Sequence, residues 1–350
     1  MRFPIVAVDL AKNTFEVAIV DHREAQPRFK RFSRGQFERF IADQPASRFV
    51  LEACASAHFW SRQLGSLGHE SRMLPAQYVA PYRRRNKTDR ADTKALLEAD
   101  RAPDIQAVPV KSADQQAVQQ LHSVREQLIG TRTAWINQAR ATLREQGIPV
   151  AEGANKLRRA IPAVIEDADN GLPDILRELL ADIHESIQGL DERIARLERQ
   201  LKAYQAADAD AQRISTLPGV GLITSTAITS CVADVRGFDK ARQFAASLGL
   251  TPREHSSGDQ RHLGRIDKRG NRYLRGLLIH GARSAMTRML RKARRGDELT
   301  AFEQWAVNTR HRVGFNKAVV ALANKLARRI FALCRDQTTY QAEPTAPAVA

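Results

Sequence analysis

The sequence is poor in cysteine and has no long apolar run. Its 350 residues contain three cysteines, none of them in a CxxC pair, so we expect neither a structural zinc site nor a disulfide framework. No stretch approaches the roughly 20 apolar residues that cross a bilayer, and the N-terminus lacks the apolar core of a signal peptide. These absences predict a globular protein of the reducing cytoplasm that has no membrane contact.

Acidic residues are also scarce relative to basic ones. The chain has 39 Asp and Glu against 55 Lys and Arg, which gives a formal net charge of +16. Residues 236–329 alone carry 22 Lys and Arg against 7 Asp and Glu, so nearly all of the excess lies in the C-terminal third. Such a balance predicts a polyanionic partner, usually a nucleic acid, although a basic surface can also serve solubility alone.

The pattern of apolar residues predicts an α/β domain followed by all-α regions. Residues 1–105 contain five short strand-like runs with amphipathic stretches between them, which indicates a mixed α/β domain. Residues 106–210 are rich in helix formers, and residues 211–337 contain several further helical patterns. The Pro- and Ala-rich residues 338–350 predict a disordered tail.

A heptad repeat marks the second region. Apolar residues recur at alternating spacings of four and three from Leu176 to Tyr204, which predicts a coiled-coil seam. Two partners fit this seam equally well. One is the helix predicted over residues 112–146 of the same chain, and the other is a second copy of the protein.

Four carboxylates are candidates for a metal site. Asp9 and Glu52 each stand where a predicted strand ends, and Asp89 and Asp92, in NKTDRADTKAL, share one face of a predicted helix. Clustered carboxylate oxygens suit Mg²⁺, and a two-metal site can activate an attacking oxygen and stabilise a leaving one. The alternative is that these are ordinary charges at strand ends and in a first helical turn, where the helix dipole favours them.

Two glycine-containing motifs in the third region indicate phosphate binding. LPGVGLITSTAI, with Gly219 and Gly221, predicts a helix-hairpin-helix turn whose backbone N–H groups can hold a DNA phosphate, unless the turn is purely structural. Ser256 and Ser257 precede Gly258 in a polar loop, where a hydroxyl beside cations can be a nucleophile or can simply bind phosphate. The cations that follow, which we expect to contact nucleic acid, are Arg261, Arg265, Lys268, Arg269, Arg272 and Arg275.

Several stretches together resemble one family. AVDLAKN, VLEACASAHFW, NKTDRADTKAL, LPGVGLITSTAI and the run from FAASLGLTPREHSSG to DKRGNRYLR are similar to the DEDD transposases of bacterial insertion sequences, the bridge-RNA-guided recombinases. The resemblance implies a ribonuclease H-like (RuvC-like) domain whose acidic tetrad, holding Mg²⁺ or Mn²⁺, is Asp9, Glu52, Asp89 and Asp92. It also implies a C-terminal serine that attacks the DNA phosphodiester and forms a transient phosphoserine link. Ser257, just before the glycine, fits this role best, and Ser256 is the alternate.

The resemblance also implies partners. These are donor and target DNA, an element-encoded guide RNA, and a homodimer that assembles into a tetramer on two DNAs at the bacterial nucleoid. The serine and the tetrad would form a composite site across protomers. Two other functions stay open on the residues alone: a metal-dependent junction nuclease without a covalent serine intermediate, and a non-enzymatic protein that bridges nucleic acids.

Overall fold

The chain forms two compact units. The computed structural model describes residues 4–21, 26–83, 88–258 and 260–342. One unit comprises Met1–Gln116 with the short segment Val232–Asp234, and the other comprises Ala117–Cys231 and Val235–Ala350. This division does not separate the second and third regions that we predicted from the sequence.

The first unit is built around a five-stranded sheet. Its strands are β1 (Ile5–Leu10), β2 (Thr14–Val20), β3 (Arg28–Ser33), β4 (Arg48–Glu52) and β5 (Glu70–Leu74). They lie in the order β3-β2-β1-β4-β5, with β1–β2 and β2–β3 antiparallel and β1–β4 and β4–β5 parallel. This topology confirms the mixed α/β prediction and is consistent with a ribonuclease H-like domain.

Helices cover both faces of this sheet. They are α1 (Arg34–Asp43), α2 (Ala57–Ser66), α3 (Ala76–Val79) and α4 (Asp89–Asp100). One face packs on α1 and α2, where the rings of Phe15, Phe37 and Trp60 have centroids 4.8 to 5.1 Å apart. The opposite face packs on α4 through small and branched residues such as Ala7 and Val50. Side chains alternate between the two faces of a sheet, so every second residue counted from Ala7 on β1 and from Val50 on β4 faces α4.

The remaining helices belong largely to the second unit. They are α5 (Ala113–Glu145), α6 (Ala154–Glu166), α7 (Asp174–Ala207), α8 (Ala209–Ser215), α9 (Leu222–Cys231), α10 (Ala241–Ser247), α11 (Arg272–Arg294), α12 (Ala301–Val313) and α13 (Phe315–Asp336). A hairpin of β6 (Pro252–Glu254) and β7 (Leu263–Ile266) lies between α10 and α11. Within the described ranges, no helix has the length and apolar character needed to cross a membrane.

The long helices α5 and α7 pack against each other in opposite directions. Arg125 Nη2 lies 2.6 Å from Glu198 Oε1, and Arg132 Nη1 lies 2.5 Å from Asp191 Oδ1. A step toward the C-terminus of α5 is thus a step toward the N-terminus of α7, so the two helices are antiparallel. The heptad side chains of α7 lie in hydrophobic clusters with residues of α5 and α6. This packing matches the intramolecular alternative. A coiled-coil geometry and a pairing between chains stay predictions.

The glycine-rich turn between α8 and α9 packs closely on α11. Gly219 has a φ of +89°, and a Cβ at this position would lie 2.5 Å from the carbonyl oxygen of Gly281. A Cβ on Gly281 would in turn overlap the carbonyl oxygen of Gly219. Gly221 has open space around its Cα. One glycine of the motif thus has a packing role, and the helix-hairpin-helix identity of the turn stays a prediction.

Ordered packing extends closer to the C-terminus than the sequence predicts. Tyr340 donates its backbone N–H to Thr216 Oγ1 at 2.9 Å, and the Arg329 guanidinium lies 5.5 Å from the centre of the Tyr340 ring. The segment predicted to be disordered from residue 338 is therefore held at Tyr340, because an aromatic ring there finds an apolar and cationic surface. Residues 343–350 of that prediction lie outside the described residues.

Candidate functional site

Asp9 and Glu52 lie on the sheet face that packs on α4. Each stands two residues beyond a residue buried against α4, Ala7 on β1 and Val50 on β4. The parallel register of β1 and β4, continued by one residue, places Glu52 beside Asp9. Both residues are half-buried. Two of the predicted carboxylates therefore share one face at the ends of adjacent strands.

Asp89 and Asp92 lie in the first turn of α4. Thr88 caps this helix, since its Oγ1 accepts a hydrogen bond from the backbone N–H of Ala91 at 3.2 Å. The cap fixes where the helix begins and leaves both carboxylates at the positive end of the helix dipole. The basic residues Arg84, Arg85 and Lys87, which precede this turn in the sequence, lie outside the described residues.

A fifth carboxylate, Glu16 on β2, links the sheet to this helical turn. It stands opposite Asp9 in the antiparallel register and is 5% exposed. Arg31 Nε lies 3.0 Å from Glu16 Oε2, and Arg31 Nη2 lies 2.7 Å from Asp89 Oδ2. Arg90 Nε lies 3.5 Å from Glu16 Oε1. The first turn of α4 therefore lies over the cross-strand neighbour of Asp9.

Arg31 and Arg83 form ion pairs with the carboxylates of this site. The hydrogen bond and the charge of Glu16, followed by the charge of Asp89, raise the pKa of Arg31 above its ordinary value. Arg83 Nε lies 2.5 Å from Asp92 Oδ1, yet the pair does not have hydrogen-bond geometry. Asp92 Oδ1 is thus a buried acceptor that has a cationic neighbour but no hydrogen-bond donor among the described residues.

The chemistry of these residues suits a hard divalent cation. The face offers carboxylate oxygens, which are the ligands that such a cation prefers. In the described part of the chain, no group of three or more His, Cys, Asp or Glu is close enough to hold one, and Asp89 and Asp92 are paired with Arg31 and Arg83. The structure thus places Asp9 and Glu52 on the sheet face that packs on α4 and Asp89 and Asp92 in the first turn of α4, and a metal-binding tetrad stays a prediction.

The two candidate serines lie in the polar loop that the sequence predicts, which connects β6 to β7, and they stand in different surroundings. Ser256 Oγ donates to Glu254 Oε1 at 3.0 Å and accepts from the backbone N–H of His262 at 3.2 Å. The hydrogen bond from Ser256, followed by that from Arg261, lowers the pKa of Glu254. Ser257 is exposed, and its hydroxyl has no hydrogen-bond partner in the described ranges. Ser257 is therefore the hydroxyl available to an incoming phosphate.

A tight turn presents Ser257 at the tip of the hairpin. Its carbonyl oxygen accepts the backbone N–H of Gln260 at 3.3 Å, and the two residues form an isolated antiparallel bridge. Gly258 between them has a φ of +57°, a conformation that glycine adopts without strain. The positive φ that this turn requires thus explains why a glycine follows the two serines.

Five of the six predicted phosphate-binding cations are exposed near the hairpin. They are Arg261, Arg265, Lys268, Arg269 and Arg272. Arg275 differs, because it is 9% exposed and its Nη1 donates to the carbonyl oxygens of Leu248 and Arg269, each at 3.1 Å. The expectation that Arg275 contacts nucleic acid is not supported by this position, since its guanidinium is used inside the fold.

Sequence reasoning missed Glu16 and Arg31. Glu16 lies in FEVAIVD, which the sequence predicts to be a strand, but the sequence does not say which residue of β1 Glu16 will oppose. Only the register of the β1–β2 hairpin places it opposite Asp9. Arg31 reaches Asp89 across 58 positions of sequence, a distance at which no local pattern gives a signal.

Comparison with known proteins places these features in one family. A transposase model of the DEDD type, named for IS110, matches residues 6–147, and a model described as "Transposase IS116/IS110/IS902 family" matches residues 211–297. A probable family 20 transposase of Pseudomonas aeruginosa is 40% identical over 97% of this chain and 99% of its own. The transposase of insertion sequence element IS1111A from Coxiella burnetii is 36% identical over 96% and 91% of the two chains. That of IS1328 from Yersinia enterocolitica is 35% identical over 96% and 98%.

The two family matches enclose the carboxylate face and the hairpin, and the relatives align over nearly their whole lengths. The chain therefore belongs to the IS116/IS110/IS902 family of transposases, enzymes that move DNA.

Proposed function

We propose that this transposase cuts and rejoins DNA strands through the carboxylates Asp9, Glu52, Asp89 and Asp92 and the hydroxyl of Ser257. The observation that carries the proposal is the common face of the first unit. Asp9 and Glu52 point toward α4, and the first turn of α4, which bears Asp89 and Asp92, is tied to that face through Arg31 and Glu16.

The carboxylates would hold Mg²⁺ or Mn²⁺ on this face. When bound, such an ion supplies charge that stabilises the scissile phosphate and the oxygen that leaves it. Arg31 and Arg83 now neutralise Asp89 and Asp92. We propose that they keep the face from accumulating repelling negative charges until cations replace them, since neighbouring carboxylates cannot all stay ionised alone.

Ser257 is the proposed nucleophile. Its Oγ attacks the phosphorus, a new Oγ–P bond forms, and the bond from phosphorus to the 3′ oxygen breaks. The proton that leaves the hydroxyl is balanced by the proton that the 3′ oxygen gains. The phosphoserine link conserves the energy of the broken bond, so the strand can be rejoined to another end without ATP. The exposed cations Arg261, Arg265 and Lys268 support this role, because they can hold the phosphate near the hairpin.

An element-encoded guide RNA would select the DNA sites, and a homodimer that pairs into a tetramer on donor and target DNA would carry the composite site. The surplus of 15 positive charges in residues 236–329 is suited to holding backbones, while base pairing would supply sequence choice. This part of the proposal rests on the family resemblance.

A covalent-trapping assay tests the proposal. End-labelled target DNA is incubated with protein, Mg²⁺ and RNA transcribed from the non-coding sequence of the element, and the products are separated on a denaturing gel. The wild type and Ser256→Ala should give a labelled protein–DNA adduct, and Ser257→Ala should give none. Asp9→Asn and Asp92→Asn should lose both the adduct and the cleavage.

Ser256→Ala is the matched control, because it removes a neighbouring hydroxyl that is already hydrogen-bonded within the hairpin. Cleavage by Ser257→Ala without any adduct would replace the proposal with a metal-dependent nuclease. Full activity of the two aspartate variants would remove the carboxylates from the chemistry.

A further inference from the structure

A groove in the second unit is lined mostly by residues that the proposed chemistry does not use. It has a volume of about 1500 Å³ and lies between the β6–β7 hairpin, α10, α11, α12 and α13. This is larger than the roughly 300–1,000 Å³ of a typical small-molecule site. The groove therefore has room for a segment of a polymer.

The floor of the groove is apolar because α13 presents small side chains to it. Val320, Ala321 and Ala332 of α13 line it, and Ala321 and Ala332 are eleven residues apart, a spacing that returns to the same side of a helix. Leu250 and Ile279 close the floor from other elements. Short side chains on this face leave a trough where longer ones would have filled it.

The walls of the groove are strongly cationic. Six cations line it: Arg265, Lys268, Lys317, Lys325, Arg328 and Arg329. No carboxylate lines it within the described part of the chain. Like charges at this density repel one another unless an anion lies between them, so the groove is complementary to a polyanion.

Lys325 is the most constrained of these cations. Its Nζ lies 3.7 Å from the centre of the Trp305 ring, which fixes the ammonium beside the apolar floor. Burial, followed by the charges of Arg329 and Arg328, lowers the pKa of Lys325. A phosphate placed here would offset the repulsion from the two arginines, because it would supply the negative charge that the surroundings lack.

The two asparagines that line the groove each have one polar atom engaged within the fold. Asn324 Nδ2 donates to the carbonyl oxygen of Leu250 at 3.1 Å, and Asn316 Oδ1 accepts from Arg283 Nη2 at 3.2 Å. The groove thus offers charge and apolar surface but few groups that could read base edges or a ribose 2′-hydroxyl.

We propose that this groove binds a single strand of DNA without sequence preference, with its bases against the floor of α13 and its phosphates against the six cations. A duplex would leave the apolar floor unfilled because its bases are stacked inside, whereas a single strand can lay base faces on it. An RNA strand would find little to bond its 2′-hydroxyls. The inference rests on the proposed strand exchange, which releases such single strands.

Binding is measured by fluorescence anisotropy with a labelled oligothymidylate over a range of salt concentrations, in EDTA so that no cleavage occurs. We compare Lys325→Ala/Arg328→Ala with Arg291→Ala/Arg294→Ala, which removes the same charge from exposed positions of α11 outside the groove. The groove variant should weaken binding about tenfold and reduce the log–log salt slope by about 1.4, since each phosphate contact on a single strand contributes about 0.7. The α11 variant should keep most of the slope.

Ala321→Trp provides a second variant that keeps every charge and fills the trough. It should weaken oligothymidylate binding and leave binding of a duplex unchanged. Equal losses in the groove and α11 variants, or equal losses for single strand and duplex with Ala321→Trp, would overturn the proposal. The same assay is run with labelled oligouridylate. If the groove variants bound oligouridylate more weakly but bound oligothymidylate as the wild type does, the groove would be assigned to RNA instead. None of these outcomes depends on Ser257 or the carboxylates. The proposed chemistry can therefore be wrong while the groove binds single-stranded DNA, and the groove proposal can be wrong while the chemistry is right.

Discussion

The guanidinium of Arg31 lies 2.7 Å from the carboxylate of Asp89, so one side chain of β3 reaches the first turn of α4. The same guanidinium holds Glu16, which is 5% exposed. Replacing Arg31 with alanine leaves Glu16 with the more distant Arg90. We expect the free energy of unfolding measured in urea to fall, because a buried carboxylate loses its main partner.

Arg28→Ala is the matched control for this prediction. Arg28 also lies on β3 and forms an ion pair at 2.7 Å, but both it and its partner Asp21 are mostly exposed. Its loss should cost less than about 1 kcal/mol. Equal effects of the two variants would mean that the contact with Glu16 adds no stability.

The contact between Gly219 and Gly281 predicts that neither position accepts alanine. A Cβ on either residue meets the carbonyl oxygen of the other, and Gly219 also has a positive φ. Gly219→Ala and Gly281→Ala should each lower the free energy of unfolding by about 1–3 kcal/mol, as overpacking does. Gly281→Ala should do so although alanine is the better helix former.

Gly221→Ala tests whether the effect is specific to that contact, because a Cβ at Gly221 meets nothing within 4 Å. Thermal unfolding should show little change for this variant. If Gly221→Ala were as destabilising as Gly219→Ala, the turn would be sensitive to backbone conformation rather than to the approach of α11.

His122 predicts a pH dependence of stability. Its ring lies 3.0 Å from Tyr273 Oη and 3.1 Å from Thr226 Oγ1, and burial, followed by the charge of Arg125, lowers its pKa to about 4. An unfolded histidine titrates near pH 6.5, so between these values the unfolded chain binds more protons. The stabilisation is therefore complete above about pH 6.5 and is lost as the pH falls toward 4, by at most about 1.4 kcal/mol per pH unit.

Urea denaturation at several pH values checks this prediction. His122→Gln should flatten the decline of the unfolding free energy between pH 7 and pH 5 relative to the wild type. His58, whose pKa burial also lowers to about 4, is present in both proteins and cancels in the comparison. Parallel pH profiles for the two proteins would show that His122 does not contribute.

The ion pair of Arg125 with Glu198 tests whether α5 and α7 pair within one chain. Arg125→Glu should lower stability by about 1 kcal/mol, and adding Glu198→Arg should restore most of it, since the pair is only partly exposed. For a pair within one chain, the difference in melting temperature between Arg125→Glu and the wild type should be the same at all protein concentrations, even if the chains dimerise elsewhere. A difference that changes with concentration would favour pairing between chains.

The sequence predicts local elements of this protein better than the contacts between them. Short strand-like runs in the sequence predict all five strands of the first sheet, and the helix predicted over residues 112–146 corresponds to α5, Ala113–Glu145. Thr88 before two aspartates is a local signal for a helix start, and the structure has its cap there. These features depend on neighbours within a few residues, which a single sequence contains.

The candidate site depends on register and packing, which the sequence does not contain. Asp9 and Glu52 could be placed at strand ends, but the position of Glu16 beside Asp9 follows from how the β1–β2 hairpin closes. Arg275 looked like the other arginines around it, yet it turns inward to the carbonyl of Leu248. A single sequence does not distinguish an arginine that binds phosphate from one that binds carbonyl groups.

The opposed pairing of α5 and α7 also limits how this protein can change in evolution. A step of seven residues along α5, from Arg125 to Arg132, is matched by an equal step backwards along α7, from Glu198 to Asp191. An insertion in one helix alone would shift every later contact out of phase. Lineages that lengthen or shorten the pair must alter both helices together, so we expect a gap within Ala113–Glu145 of one relative to be mirrored within Asp174–Ala207.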